Sequence, residues 1–195
     1  MESAAGLCER STSPHSPNNL ISGVEGNAST EIKEIPVKWL AFFRNKGKGF
    51  AGSISGRLRV TEVSILPNVD DPEFIDGKVV CEIEVTEDMC NARGVLHEGC
   101  TFFLLDECST VAMVVANAHN GFNDSPGVSQ TINTFYHRSA LPGAKLRIVS
   151  TSISSGLDKY VGKCEIRDIG HNHLVASGIQ QMMPPSTPYQ WMAKY

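Results

Sequence analysis

Residues 91–116 read NARGVLHEGCTFFLLDECSTVAMVVA. From Cys100 onward the run is apolar on almost every side, the pattern of a helix covered all round. The spacing predicts that helix over 97–118. Asp106 and Glu107 sit in its middle. Even a neutral polar group left unpaired in such surroundings costs roughly 2–7 kcal/mol, so a carboxylate there needs partners or a task. The two acids lie about 100° apart around a helix. Only one of them easily faces a chamber beside the helix, and the other is solvated or paired.

Strands are predicted on both sides of this helix. KVVCEIEV (78–85) alternates cleanly, with Val79, Cys81, Ile83 and Val85 on one face and Glu82 and Glu84 on the other. GRLRVTEVSIL (56–66) is rich in β-branched residues, and PNVDDPEFIDG reads as a loop. After the helix and the loop HNGFNDSPG, four strands are expected over 128–137, 145–153, 160–168 and 174–182. ALPG, SSGLD and DIGHN separate them with turn chemistry. A short amphipathic helix is expected over 31–50, with Trp39, Leu40, Phe42 and Phe43 on its apolar side. The order is therefore helix, two strands, buried helix, four strands. An α+β fold in which one antiparallel sheet wraps a central buried helix accommodates it.

At 195 residues, with 41% hydrophobic and 19% charged residues, the chain has enough material for one domain with a real core. The Ser-, Asn-, Gly-, Pro- and Glu-rich stretch at 1–30 cannot bury a core and is expected to be a disordered tail. A helix and linker follow over 31–55, the domain occupies 56–183, and 184–195 form a second tail after Pro184 and Pro185. Net charge is −4 and no block of Lys or Arg occurs, which argues against a nucleic-acid partner. No charge-free apolar run of about 20 residues predicts a membrane span.

None of the six cysteines forms a Cys-x-x-Cys pair, and the start of the chain lacks a charged region followed by an apolar run. Reduced thiols and a cytoplasmic location are expected, with a mitochondrial one left open. Cys100 and Cys108 read as packing residues. His171 and His173, in HNH, read as solvent-facing rather than metal-binding, and no metal site is expected.

The segment N-A-R-G-V-L-H-E-G (91–99), the helix with L-L-D-E-C-S-T (104–110) and P-G-V-S (126–129) together resemble the hotdog-fold acyl-CoA thioesterases. The type is that of the phenylacetate-pathway enzyme and acyl-CoA thioesterase 13. The resemblance covers about 56–183. It implies a hotdog fold whose subunits pair edge to edge, with active sites at the interface. The implied reaction converts acyl-CoA and water to a free acid and CoA, an activity of lipid metabolism that needs no cofactor. Asp106 matches the helix acid that serves as nucleophile or general base. Asn91 and His97 match residues near the thioester. The backbone N–H groups around Glu98 and Gly99 match the carbonyl-polarising donor, and Ser129 matches a residue that holds the water or the acid. A homodimer is the minimum unit and a homotetramer is expected.

The chemistry is consistent from the residues upward. A helix start offers unpaired N–H groups to a growing oxyanion, and burial raises the basicity of an acid. Local readings stay open beside it: His97 as a residue bonding the helix start, Asn91 as a turn former, Ser129 as an ordinary strand serine.

Two departures stand out. Glu98 replaces the first glycine of the family's H-G-G, and Ile179, Gln180 and Gln181 stand where the family often carries basic residues. Glu98, Arg138 and Lys159 are then the candidate substrate contacts, with Lys145 and Lys163 as further phosphate candidates. A non-catalytic acyl-thioester-binding protein is the main alternative. A hotdog dehydratase or hydratase is a lesser one, since the Pro- and Gly-rich motif around its His is missing.

Overall fold

The computed structural model describes residues 21–46, 49–69, 71–122 and 127–184, apart from the side chains of 42–46. The parts of the expected tails at 1–20 and 185–195, the side chains of Phe42 and Phe43, and Pro126 of the P-G-V-S motif lie outside them. Helix α1 spans Thr30–Lys46 and a single turn, α2, spans Gly52–Ser55. Strands β1 (Arg59–Pro67) and β2 (Ile75–Glu84) follow, then a 3-10 turn at Glu87–Met89 and the long helix α3 (Glu98–His119). Strands β3 (Val128–Tyr136), β4 (Lys145–Ser154), β5 (Tyr160–Asp168) and β6 (His173–Met183) complete the fold.

All six strands form one sheet in the order β1-β2-β4-β5-β6-β3, with every neighbouring pair antiparallel. Helix α3 lies across the inner face of β2, β4 and β5, and α1 covers part of its other side. Alternation decides which side chains meet it. Val79, Cys81 and Ile83 of β2, Leu146 and Ile148 of β4, and Cys164 and Ile166 of β5 all point inward and are buried. Leu104, Leu105, Val111, Ala112 and Val115 of α3 close over them. Each such Leu, Ile or Val contributes about 1.5–3 kcal/mol on burial, which lets α3 tolerate two acids in its length. By length and composition α3 could also cross a membrane, but here it is the core helix of the sheet.

Close approach of helix and sheet requires glycine at two points. A Cβ at Gly77 would sit 2.6 Å from Ala112 O, and one at Gly178 would sit 2.5 Å from Leu105 Cδ1. Cys81, Cys108 and Cys164 are free and buried in the core, and burial pushes the Cys164 thiol up to about 12.

The tail expected over 1–30 becomes part of the fold from Glu25 onward. Glu25 bridges β1 at Glu62, its N–H bonding Thr61 O at 2.9 Å, and Asn27 brackets Ile65 with both side-chain atoms. Ala28 is buried beneath this segment. The β1 edge of the sheet is thus covered, whereas β3 forms the other edge, with Val128, Phe135 and Tyr136 exposed.

Candidate active site

Asp106 projects from α3 toward β3 and β6. Its Oδ1 accepts the Ser129 hydroxyl at 2.9 Å and the Gln180 amide at 2.5 Å. Gln180 Nε2 also donates to Ser129 Oγ at 2.8 Å. Ser129 reaches this place through an irregularity in β3. Ile132 pairs with Gln180, but the register shifts between Ser129 and Thr131, so Ser129 pairs with Met182. Partners directly opposite share a face. Gln180 and Met182 are buried on the inner face, and the bulge turns Ser129 to that same face. Burial raises the Asp106 pKa above the ordinary carboxylate value, while the Ser129 and Gln180 bonds act in the opposite direction.

Glu107 turns the other way, toward α1. Trp39 Nε1 donates to its Oε2 at 3.0 Å. Burial pushes its pKa from an ordinary 4.5 to about 7, with the neighbouring Asp106 charge adding to the rise and the Trp39 bond opposing it. The two acids turn to opposite sides of α3, and both have hydrogen-bond partners.

The start of α3 is the third part. His97 is the N-cap, and its Nδ1 accepts the Gly99 N–H at 2.8 Å, which places the ring proton on Nε2. Glu98 is exposed. Its carboxylate folds back on the preceding loop, 3.4 Å from Asn91 Nδ2 and 3.6 Å from the Arg93 guanidinium. Its own backbone N–H and Asn91 hold its pKa below the ordinary value. Asn91 Oδ1 accepts the Arg93 N–H at 2.9 Å, the turn-forming contact expected of Asn. Tyr136 OH donates to Glu98 O at 3.2 Å, and a cleft of about 160 Å³ opens here between Glu98, Thr101, Tyr136 and Arg138.

The structure thus gathers Asn91, His97, Glu98 and Gly99 at one end of α3, and Asp106 with Ser129 farther along it. Gly99 and Asp106 are seven positions apart, about 10 Å of helix rise. The basic candidates are not gathered. Arg138 follows β3 beside the α3 start. Lys159 precedes Tyr160, the partner of Met182, while Tyr136 pairs with Ala176. Those points are six positions apart along β6, roughly 20 Å. Lys145 pairs with Glu84 at the start of β4, and Lys163 is exposed on the outer face of β5.

Two contacts escaped the sequence reading. In the sequence Gln180 stands out only as a residue that is not basic, yet it bonds the acid directly. Its signal was a polar side chain in the inward row of β6, between Gly178 and Met182. Trp39, expected simply on the apolar side of α1, carries the donor that meets Glu107. In the HNH turn, Asp168 accepts the Gly170 and His171 N–H groups, and His171 Nδ1 lies 2.8 Å from its other oxygen. Among the described residues no group of three or more His, Cys, Asp or Glu is placed to hold a metal ion.

No family model matches the chain. Over 102 residues it is 31% identical to acyl-coenzyme A thioesterase 13 of Homo sapiens, spanning 52% of this chain and 69% of that protein. The crystal structure of zebrafish thioesterase superfamily member 2 superposes with a TM-score of 0.58 at 25% identity, covering 73% of this chain and 93% of that one. Thioesterase superfamily member 2 from Mus musculus gives a TM-score of 0.60 at 22% identity, over 80% and 98% of the two chains.

Proposed function

This chain belongs to the acyl-CoA thioesterase 13 family of hotdog-fold thioester hydrolases, and on that premise we propose that it converts an acyl-CoA and water to a free acid and CoA, with Asp106 as the acting acid. The observation that carries the reading is the Asp106 carboxylate, half-buried at the open β3 edge and held through one oxygen by Ser129 and Gln180. A carboxylate raised by burial is a stronger base and nucleophile than one in water. As a base it takes a proton from a water that adds to the thioester carbon. As a nucleophile it forms an acyl-aspartyl anhydride that water then opens. In either case the C–S bond breaks and CoA leaves as the thiolate.

The carbonyl needs donors where its charge develops, and the start of α3 supplies them in this reading, through Gly99 N–H with Asn91 and His97 beside it. About 10 Å of helix rise separates that point from Asp106 within one protomer. A second protomer across the exposed β3 edge brings its own helix start to Asp106, so the working unit is a homodimer, and a homotetramer is the expected assembly. Arg138, at the mouth of the cleft, is the better placed of the two basic substrate contacts, and Lys159 would serve another part of CoA. Glu98 lines the entrance, and the enzyme would work in the cytoplasm.

One observation favours the alternative of an acyl-thioester-binding protein without turnover. Gly99 N–H is bonded to His97 and Asn91 Nδ2 faces Glu98, so substrate must displace both contacts before either donor is free. Thiol release from short, long and aromatic acyl-CoAs, with wild type and Asp106→Asn in parallel, decides between them. Release that vanishes in the variant supports the thioesterase. Tight acyl-CoA binding without release supports the binding protein.

A further inference from the structure

We propose that Gln180 is the positioning residue of this site: its amide commits Asp106 Oδ1 to the protein and leaves Oδ2 as the oxygen that works on water or thioester. The proposal rests on the reading of Asp106 as the acting acid. Gln180 is fully buried, and its polar atoms are spoken for. A primary amide has two N–H donors and one carbonyl acceptor. The donors meet Asp106 Oδ1 at 2.5 Å and Ser129 Oγ at 2.8 Å. The carbonyl oxygen meets the Ser109 hydroxyl, with Thr110 Oγ1 at 3.4 Å.

Ser109 has one hydroxyl proton and two acceptors in reach, Leu105 O at 2.7 Å and Gln180 Oε1. With Asp106 ionised it is therefore the acceptors on the other side, Asp106 Oδ1 and the Ser129 oxygen, that decide the amide orientation. Ser129 has a single hydroxyl proton, which goes to Asp106 Oδ1 at 2.9 Å, so its lone pairs are free to accept from Gln180. Thr110 gives its proton to Asp106 O, one turn back along α3, at 2.8 Å. Reversing the amide would set Gln180 Oε1 against an ionised carboxylate oxygen at 2.5 Å, two acceptors in contact. The ionised acid and the amide orientation therefore hold each other. The described hydrogen bonds to the carboxylate all fall on Oδ1, so the group is fixed about its Cγ with Oδ2 turned away from Gln180 and Ser129.

This assigns work to a residue outside the three segments that carry the family resemblance. It also distinguishes two parts of one network: Ser109 meets the amide oxygen, and the amide sets the acid.

The experiment uses the full-length protein with Gln180→Met, which keeps the length of the side chain and removes its hydrogen bonds. Titration of the Asp106 carboxyl by carbon-13 NMR is the first readout, because it does not depend on turnover. The midpoint should move up, since donors that favour the charged form are lost. The second readout is kcat, KM and the pH profile on the best acyl-CoA. The value of kcat should fall about tenfold, with KM within about twofold of wild type and the acid limb moving up alongside the NMR midpoint. Gln180→His, which retains a donor, should recover part of both changes. Ser109→Ala, which frees the amide oxygen, should shift the midpoint the same way by less, and it serves if Gln180→Met does not fold.

An unchanged Asp106 midpoint in Gln180→Met, or a fall in kcat with no movement of the acid limb, would reduce Gln180 to a packing residue. If wild type releases no thiol from any acyl-CoA, the thioesterase reading falls, while the NMR titration still decides whether Gln180 holds the carboxylate.

Discussion

Asp106 and Glu107 are consecutive residues of one helix, and they occupy two different worlds. Both are raised by burial. Asp106 faces β6 and the edge strand β3 and takes two donors on one oxygen. Glu107 faces α1, is covered more deeply, takes the Trp39 indole as donor, and rises to about 7. The difference teaches that burial alone does not make a working acid. In the proposed reading, access and a donor set that fixes the carboxylate do. Glu107 is turned toward α1 and the Trp39 indole, and the cost of its burial falls on the stability of the fold.

The comparison breaks most visibly at Asp106. Asp106→Asn should lower kcat by roughly 10²–10⁴, the usual range for losing an acid–base group, while the melting temperature holds or rises because a buried charge is gone. Thiol-release assays and thermal melts measure the two halves. A fully active variant would exchange the parts assigned to Asp106 and Glu107.

The next largest effect belongs to Glu107 and appears in stability. Its folded pKa of about 7 exceeds the ordinary 4.5, so the native state binds the proton more tightly. Stability from this group is then greatest below about 4.5, declines as pH rises toward 7, and is lowest above that. The full span is at most about 3 kcal/mol. Glu107→Gln keeps an acceptor for Trp39 and should flatten that decline, with the larger gain in denaturant midpoint at pH 8 and turnover unchanged. An unaltered pH dependence of stability would show that Glu107 is not the buried titrating group.

Ser129→Ala removes one of the two donors on Asp106 Oδ1. A loss of about tenfold in kcat is expected, with an upward move of the acid limb in the pH profile. Glu98→Gly is the smallest change and sharpens the picture at the helix start. Freed from the carboxylate, Asn91 should meet substrate more readily, and KM should fall by about two- to threefold, an effect of a few tenths of a kcal/mol. An unchanged KM would make Glu98 a spectator that rests on its loop.

Much of this molecule was legible in the chain because its signals are local. The expected helix at 97–118 is found one residue later, with His97 as its cap, as the run of apolar residues and the following loop suggested. The row Val79, Cys81 and Ile83 of β2, with Val85 just past its end, is buried as the period-two pattern required. The extra turn at Gly52–Ser55 and the pairing of Glu25 with β1 were not foreseen, since both depend on what lies alongside rather than on the segment itself.

The sequence by itself determined the element order, the buried helix and the presence of two acids that could not share one environment. Side-chain periods of 2 and 3.6 residues are properties of a short stretch, and they can be counted. The tertiary structure alone decided which acid met which partner. Trp39 reaches Glu107 across 68 residues of chain, and Gln180 reaches Asp106 across 74. Strict alternation in β3 would have put Ser129 on the face opposite Ile132, and a one-residue bulge reverses that. Such contacts follow from register and packing between distant segments, which no local pattern encodes.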